Sequence, residues 1–116
     1  MRFLYLYRPQ TAERTTPPTQ EEMASMGVLI GEMAKAGVLL ATEGCLPSSK
    51  GMRVRIDAGK FTVTDGPFPE TKELIAGFCL VQVKSKEEAI EWGKRFLAVV
   101  GHGESEIRLL HDTPAG

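Results

Sequence analysis

The sequence has little of several residue types that common functions require. It holds two cysteines and two histidines in 116 residues, too few for a disulfide framework and without the spacing of zinc ligands. Positive charge is not in surplus, since 14 Lys and Arg stand against 15 Asp and Glu, whereas nucleic-acid binding needs a basic surface. No apolar run approaches the roughly 18 residues of a membrane span. We therefore expect no metal or other cofactor, no nucleic acid, no membrane, and a reduced, cytoplasmic setting.

Apolar and charged side chains are present in the proportions of a folded domain. Apolar residues make up 42% of the chain and charged residues 25%, which separates it from disordered sequences. The length suits one hydrophobic core, because two cores of half the size would each be hard to stabilise. We predict a single domain over residues 1–116.

Periodicity and turn residues divide the chain into six strands and two helices. Thr19 with Glu22 forms a capping box, which marks the start of an amphipathic helix. A second helix begins in the same way at Ser85 with Glu88. Glycines follow both helices and are expected to end them. Runs of apolar and β-branched residues predict strands at residues 2–8, 38–43, 52–57, 60–65, 74–83 and 106–111.

The order of these elements predicts the fold. The strands at 52–57 and 60–65 alternate on both sides of Ala58-Gly59, as in a β-hairpin. The chain therefore runs βαβ, hairpin, βαβ. This order favours a ferredoxin-like α+β fold, in which two helices lie on one face of an antiparallel sheet.

Two of the predicted strands are apolar on both faces. In the first strand, aromatic residues on one face alternate with Leu4 and Leu6 on the other, and the strand 74–83 is a near-continuous apolar run. A monomer would leave one such face in water. We therefore predict a homodimer in which two sheets pack face to face. The alternative is that the hairpin or the loop 9–18 covers the second face within one chain.

The segment DGPFPETKE, residues 65–73, is the densest polar cluster of the chain. Gly66 permits a tight turn, and two prolines stiffen the backbone. Asp65, Lys72 and Glu73 would then project from a rigid stretch, as a functional site requires. The alternative is an ordinary connection between strands whose charges are solvated.

The stretch VTDGPFPETKELIAGF closely resembles the signature of the YCII-related family, and within it the DGPF (DGPFAETKE) group, with Pro69 where that motif has Ala. The resemblance extends over nearly the whole chain apart from the loop 9–18. It implies a ferredoxin-like subunit that dimerises into an α+β barrel, in a superfamily that includes small enzymes acting on ring-derived metabolites. The His–Asp pair proposed as catalytic in the better-known branch has no counterpart here, because His102 and His111 lie outside the first helix and second strand.

Four residues are candidates for an inter-sheet cavity. Tyr5 and Tyr7 share a strand face, and a tyrosine hydroxyl inside an apolar sheet seeks a partner. Arg108 on the last strand and Glu43 on the second are expected to reach the same barrel. An arginine beside tyrosines in an apolar cavity suits a small carboxylate or enolate. The alternative for Arg108 is an ion pair with Glu106 outside the barrel.

We therefore hypothesise a dimer that binds a small anionic metabolite in its inter-sheet cavity. If it is catalytic, Asp65 or Glu73 would be the base of a cofactor-free proton transfer or elimination, with Lys72 as a further ligand-binding residue. The alternative is a non-catalytic regulatory or protein-interaction module, because genes of the DGPF group often neighbour those of sigma factors. An open cavity favours the first interpretation, and a tightly packed one favours the second.

Overall fold

The computed structural model describes residues 1–10, 13–14, 16–69 and 74–112. A short 3-10 helix over Ser48–Lys50 precedes the hairpin. The strands and α-helices are, in chain order, β1 (Arg2–Arg8), α1 (Gln20–Lys35), β2 (Leu39–Gly44), β3 (Met52–Asp57), β4 (Lys60–Asp65), β5 (Gly77–Gln82), α2 (Lys86–Val100) and β6 (Glu104–Leu109).

Four strands form an antiparallel sheet in the order β2-β5-β1-β6. With two helices on one face of this sheet, the chain has the predicted ferredoxin-like α+β fold. β6 begins two residues earlier than predicted, because the turn through Gly103, with φ 97°, places Glu104 directly opposite Arg8. β5 is shorter than the predicted strand 74–83, because its pairing with both neighbouring strands ends at Gly77.

Both helices begin at the capping boxes seen in the sequence. The Thr19 hydroxyl accepts a hydrogen bond from the backbone N–H of Glu22 at 3.1 Å. The Ser85 hydroxyl accepts one from the N–H of Glu88 at 3.1 Å. α2 ends at Gly101 in the left-handed conformation, with φ 86°, which glycine adopts without a steric penalty. The predicted helix boundaries are thus confirmed.

The core lies between the helices and one face of the sheet. Phe3, Tyr5 and Val81 of the two central strands are buried there, together with Leu29 of α1. The Tyr5 hydroxyl donates a hydrogen bond to the carbonyl of Ala89 in α2 at 2.6 Å. This bond ties the centre of the sheet to the second helix.

The opposite face of the sheet is its open face, since both described helices lie on the side of Tyr5. By strand register, Leu4 lies opposite Leu80 and Leu6 lies opposite Phe78 on the open face. These four side chains are only partly buried. The structure therefore has the two apolar sheet faces that the sequence indicates, and a helix layer covers one of them.

β3 and β4 form a separate two-stranded sheet, which we call the hairpin arm. Its turn is Ala58-Gly59, with φ values of 50° and 80°, as in the hairpin turn that matches strand twist. The alternative that this hairpin covers the open face of its own chain is wrong, because its apolar face is itself in water. The five side chains of that face are between 60 and 71% exposed, and they are Met52, Val54, Ile56, Phe61 and Val63.

The molecule is flat, with extents of 45, 43 and 20 Å and a radius of gyration of 16.1 Å. A compact domain of this length has a radius of gyration of roughly 13 Å. The short dimension corresponds to one sheet with one helix layer on it, because each layer is about 10 Å thick. In the described part of the chain, no helix combines the length and apolar character needed to cross a bilayer.

Candidate functional site

A cavity of about 400 Å³ lies between the helices and the covered face of the sheet. α1 and α2 form its roof, and the centre of the sheet forms its floor. The ends of β2 and β6 close its sides with Thr42 and Ser105. The roof residues include Met26, Ile30 and Met33 of α1 and Trp92, Phe96 and Val100 of α2.

Aromatic rings shape one wall of the cavity. The rings of Tyr7 and Phe96 meet edge to face, with centroids 5.2 Å apart and an interplanar angle of 77°. The guanidinium of Arg95 lies 4.8 Å from the centre of the Trp92 ring. These contacts hold the rings in position and give the cavity a rigid apolar wall that suits a flat ligand.

The polar groups of the cavity are few, and they are mostly hydroxyls. Tyr7 donates to the carbonyl of His102 at 3.0 Å, and Thr42 donates to the carbonyl of Phe78 at 3.0 Å. The Ser105 hydroxyl differs from both, because it is buried and has no hydrogen-bond partner among the described residues. A buried hydroxyl without a partner costs free energy, so Ser105 is the polar group of the wall with unused hydrogen-bonding capacity.

The titratable side chains inside the cavity stay protonated at neutral pH. Burial raises the pKa of Tyr5 far above its usual value of 10.0, and the nearby Cys79 and Glu88 raise it further. Burial also raises the pKa values of Tyr7 and of the Cys79 thiol. A thiol with a raised pKa is a poor nucleophile. The wall therefore offers hydrogen-bond donors, but neither an activated thiolate nor a tyrosinate.

The structure separates residues that the sequence interpretation placed together. Tyr5 and Tyr7 line the cavity under the helices, and Glu43 lies exposed at its margin. Arg108 lies away from them, opposite Leu4 on the open face, and its expected place in the inter-sheet cavity of a dimer stays a prediction. Its guanidinium pairs with Glu106 at 3.0 Å, as the alternative interpretation proposed.

One acid–base candidate of the DGPFPETKE segment, Asp65, is described, and it lies away from the tyrosines. Asp65 ends β4 opposite Met52 and is exposed, and it does not line the cavity. Lys72 and Glu73 lie outside the described residues. Within the ranges that the structure describes, no group of three or more His, Cys, Asp or Glu is arranged to hold a metal ion.

The start of the same segment is anchored to the loop after β2. The backbone N–H of Phe68 donates to the Ser48 hydroxyl at 3.0 Å, and that hydroxyl donates to the Glu13 carboxylate at 2.8 Å. The Arg53 guanidinium lies 3.7 Å from the centre of the Phe68 ring. A side chain at Gly66 would place its Cβ 1.7 Å from the Ser48 carbonyl oxygen. The close approach of two backbones therefore requires the glycine of this motif.

Sequence reasoning missed the helical half of the cavity. Trp92 and Phe96 were interpreted only as the buried side of α2, because an apolar helical stripe predicts core packing and gives no sign of an unfilled space. Ser105 was not considered at all. The signal that could have found it is its position in β6. Ser105 is a small polar residue two positions before the apolar Ile107, and both lie on the same sheet face as Tyr5 and Tyr7 of β1.

A known protein matches part of the chain in sequence. An uncharacterised protein from Rhizobium meliloti (strain 1021) is 32% identical over 72 residues, which cover 62% of this chain and 58% of the relative. The matched region thus spans less than two thirds of that relative's length.

A solved structure shares the fold. It is 5-chloro-2-hydroxyhydroquinone dehydrochlorinase (TftG) from Burkholderia phenoliruptrix AC1100, in complex with 2,5-dihydroxybenzoquinone. The TM-score is 0.50 at 13% identity, over 97% of this chain and 96% of the other.

The family comparison covers most of the chain. The model of the YCII-related domain matches residues 1–108, which include every strand and helix described above except Leu109, the last residue of β6. Assignment to the DGPF group within this family stays a prediction from the motif. The chain belongs to the YCII-related family.

Proposed function

We propose that this chain binds a small, neutral, hydroxylated ring compound in the cavity between its sheet and its helices. The observation that carries the proposal is the buried Ser105 hydroxyl, which has no described hydrogen-bond partner in a mostly apolar wall. Rotation about its single χ1 bond would turn the hydroxyl towards a ligand. A ring hydroxyl would supply the missing hydrogen bond while its carbon atoms fill the apolar space.

The size and charge of the cavity support this ligand class. Pockets that bind small molecules have volumes of roughly 300–1,000 Å³, and this cavity has about 400 Å³. Among its described lining residues none is Lys or Arg, so nothing there neutralises an anion. The geometry of this cavity favours a neutral ligand. The anionic metabolite expected from the sequence belongs to the inter-sheet cavity of a dimer, beside the open face that carries Arg108, and stays a prediction.

The proposal is one of binding rather than catalysis. Among the described lining residues, the carboxylate belongs to Glu43, which is exposed at the margin of the cavity. Glu43 lies opposite Phe78, on the face of the sheet that points away from the helices. The remaining titratable lining groups hold their protons at neutral pH. The fold neighbour was solved with a dihydroxybenzoquinone, a hydroxylated ring of the size that we propose for this chain.

Fluorescence of Trp92 tests the proposal, because this residue is the sole tryptophan and lines the cavity. We expect a saturable change on titration with hydroquinone and with toluene, its apolar counterpart. Ser105→Ala should weaken hydroquinone binding about 2- to 10-fold and leave toluene binding unchanged, because toluene has no hydroxyl to pair.

A cavity-filling variant separates binding in the cavity from binding elsewhere. Val100→Phe on the cavity side of α2 should abolish the signal with both compounds. Ala98→Phe is the matched control, since residue 98 is exposed on the same helix, and it should bind as the wild type does. A wild type without saturable change, or a Val100→Phe variant with normal affinity, would contradict the proposal.

We propose in addition that two chains form a homodimer through the open face of the sheet. The support is the partly exposed apolar centre of that face, contributed by Leu4, Leu6, Phe78 and Leu80, together with the single sheet and helix layer of the flat molecule. Sedimentation equilibrium at micromolar concentration should give twice the chain mass of 12.7 kDa. A particle of 12.7 kDa would exclude the dimer.

A further inference from the structure

We infer that the hairpin arm packs its apolar face on a second copy of this chain, an inference that rests on the homodimer proposed above. Two cross-strand pairs form the centre of that face, Val54 with Val63 and Ile56 with Phe61. All four side chains are more exposed than buried. An isolated two-stranded hairpin is marginally stable in water, so an arm of this kind needs a surface to pack against.

The exposed apolar area of the arm, added to that of the open face, is close to the area that a stable dimer buries on each chain. Five large apolar side chains, each about two-thirds exposed, present together about 500 Å² at roughly 100 Å² each. A standard interface buries about 800 Å² on each partner. The arm alone falls short of this area. The arm and the apolar centre of the open face together approach it, and a second copy carries both surfaces.

The distribution of charge favours a second copy over an acidic or basic partner. The apolar face of the arm carries one charged residue, Asp65 opposite Met52 at the end of the arm away from its turn, whereas Arg53, Arg55, Asp57 and Lys60 point to the other side of the hairpin. The margin of the open face holds charges of both signs that are already paired. Glu106 accepts from Arg8 at 3.1 Å and from Arg108 at 3.0 Å.

A net charge of −1 gives two copies little electrostatic reason to repel each other. Symmetry then fixes the form of the contact. In a two-fold dimer both chains use the same surface in the contact, so each arm packs on the opposite subunit. The arm therefore extends the sheet-to-sheet interface, and its polar face, with three basic residues and one acidic residue, stays in water.

A charge-pair variant tests the arm without disrupting the hairpin itself. Ile56→Lys with Phe61→Glu places opposite charges on directly opposed residues, which maintains cross-strand attraction but makes the apolar face polar. The matched control, Arg55→Lys with Thr62→Glu, places the same pair one register position away on the polar face. Far-ultraviolet circular dichroism should show both variants folded.

Sedimentation velocity over a concentration series gives the dimer dissociation constant of each protein. We expect the apolar-face variant to dissociate roughly 100-fold more readily than the wild type, because four large side chains per dimer leave the interface. The polar-face control should keep the wild-type constant. A result in which both variants dimerise like the wild type would overturn the inference.

The outcomes distinguish the arm from the dimer on which it rests. If Leu80→Glu on the open face separates the chains and the apolar-face variant does not, the homodimer stands and the arm inference is wrong. If the wild type is monomeric throughout, both fail. A further outcome is that the wild type binds anionic phospholipid vesicles through the arm, in which case the apolar-face variant would lose vesicle binding and still dimerise like the wild type. That result would mean that the arm packs on a lipid surface and not on a second copy, and it would also overturn the inference.

Discussion

Gly103 lies where the end of β1, the cavity and the turn before β6 meet. A Cβ at this position would come within 2.6 Å of the Arg8 carbonyl oxygen and 2.7 Å of the Tyr7 ring. Its φ of 97° is also a conformation that other residues rarely adopt. Tyr7 packs edge to face on Phe96, so the side chain displaced by any residue larger than glycine belongs to the cavity wall.

Two glycine variants separate backbone strain from this steric contact. Gly101 has a similar φ of 86°, but apart from its chain neighbours no described residue has an atom within 4 Å of its Cβ position. Gly101→Ala should therefore lower the free energy of unfolding by about 1 kcal/mol through strain alone. Gly103→Ala should cost about 2–3 kcal/mol, because Tyr7 must also move. Urea unfolding of both variants measures the difference, and equal costs would show that the contact with Tyr7 does not matter.

Tyr5 predicts how the stability of the chain depends on pH. Its buried, hydrogen-bonded hydroxyl has a pKa raised above the 10.0 of an exposed tyrosine, chiefly by burial. In the unfolded chain this hydroxyl ionises near pH 10, whereas in the folded chain it stays protonated. Its contribution to stability is thus complete below pH 10 and is lost as the pH rises further.

The Tyr5→Phe variant tests that dependence. At pH 7 it should lose about 1 kcal/mol of unfolding free energy with the hydrogen bond to Ala89. Between pH 9 and pH 11, around the pKa of 10.0 of an exposed tyrosine, the stability of the variant should fall less steeply than that of the wild type. Tyr7→Phe serves as the control, because burial raises its pKa less than that of Tyr5. Parallel pH profiles for the wild type and Tyr5→Phe would refute the assignment.

At the scale of secondary-structure elements, the helix caps make separate contributions to stability. The hydroxyls of Thr19 and Ser85 each satisfy a backbone N–H of the first helical turn. Replacement of either by Ala should cost about 1 kcal/mol. Ser49→Ala, at an exposed position in the short 3-10 helix, should change stability by less than about 0.5 kcal/mol. An unchanged thermal midpoint in both cap variants would contradict the role of these bonds.

Elements whose signals are local were predictable from the sequence. Thr19 and Ser85 act within one helical turn, and Ala58-Gly59 sets a two-residue turn between its own strands. Each of these features depends on residues at most a few positions apart. The order of these elements then leaves few folds to consider, which is why the ferredoxin-like topology followed from the sequence.

The side of the sheet that each residue faces was harder to predict. β1 and β5 are apolar on both faces, so the sequence does not show which face the helices cover. Tyr5 and Arg108 lie on opposite faces because Tyr5 pairs with Ile107 and Leu4 pairs with Arg108. That register is set by the turn through Gly103, more than 90 residues along the chain from β1. A shift of one residue would have placed Arg108 with the tyrosines.

At the scale of the whole molecule, the proposed assembly and the proposed binding site use different faces of one sheet. The helices and the covered face enclose the cavity with Trp92 and Ser105. The open face, with Leu4 opposite Leu80, is the surface of the proposed dimer. Because the two surfaces are separate, a variant that separates the proposed dimer is expected to leave the helix–sheet cavity intact.

Leu80→Glu and Gln82→Glu form a matched pair for testing the whole assembly. Both positions lie on β5 and on the open face, Leu80 opposite Leu4 at the centre and Gln82 opposite Arg2 at the margin. Leu80→Glu should separate the chains, because a carboxylate buried in an apolar interface without a partner is costly. Gln82→Glu should sediment as the wild type does, since position 82 is exposed and adjoins a cation.

The pH dependence of the Leu80→Glu variant shows whether the charge itself separates the chains. A carboxyl in an apolar interface must be protonated, so its pKa is raised in the dimer relative to about 4.3 in the free chain. Dimerisation of this variant should therefore recover as the pH falls from 7 towards 5, while Gln82→Glu shows no such recovery. A Leu80→Glu variant that stays dimeric at pH 7 with native circular dichroism would place the interface elsewhere on the molecule, and one that stays monomeric down to pH 5 would show that the charge is not what separates the chains.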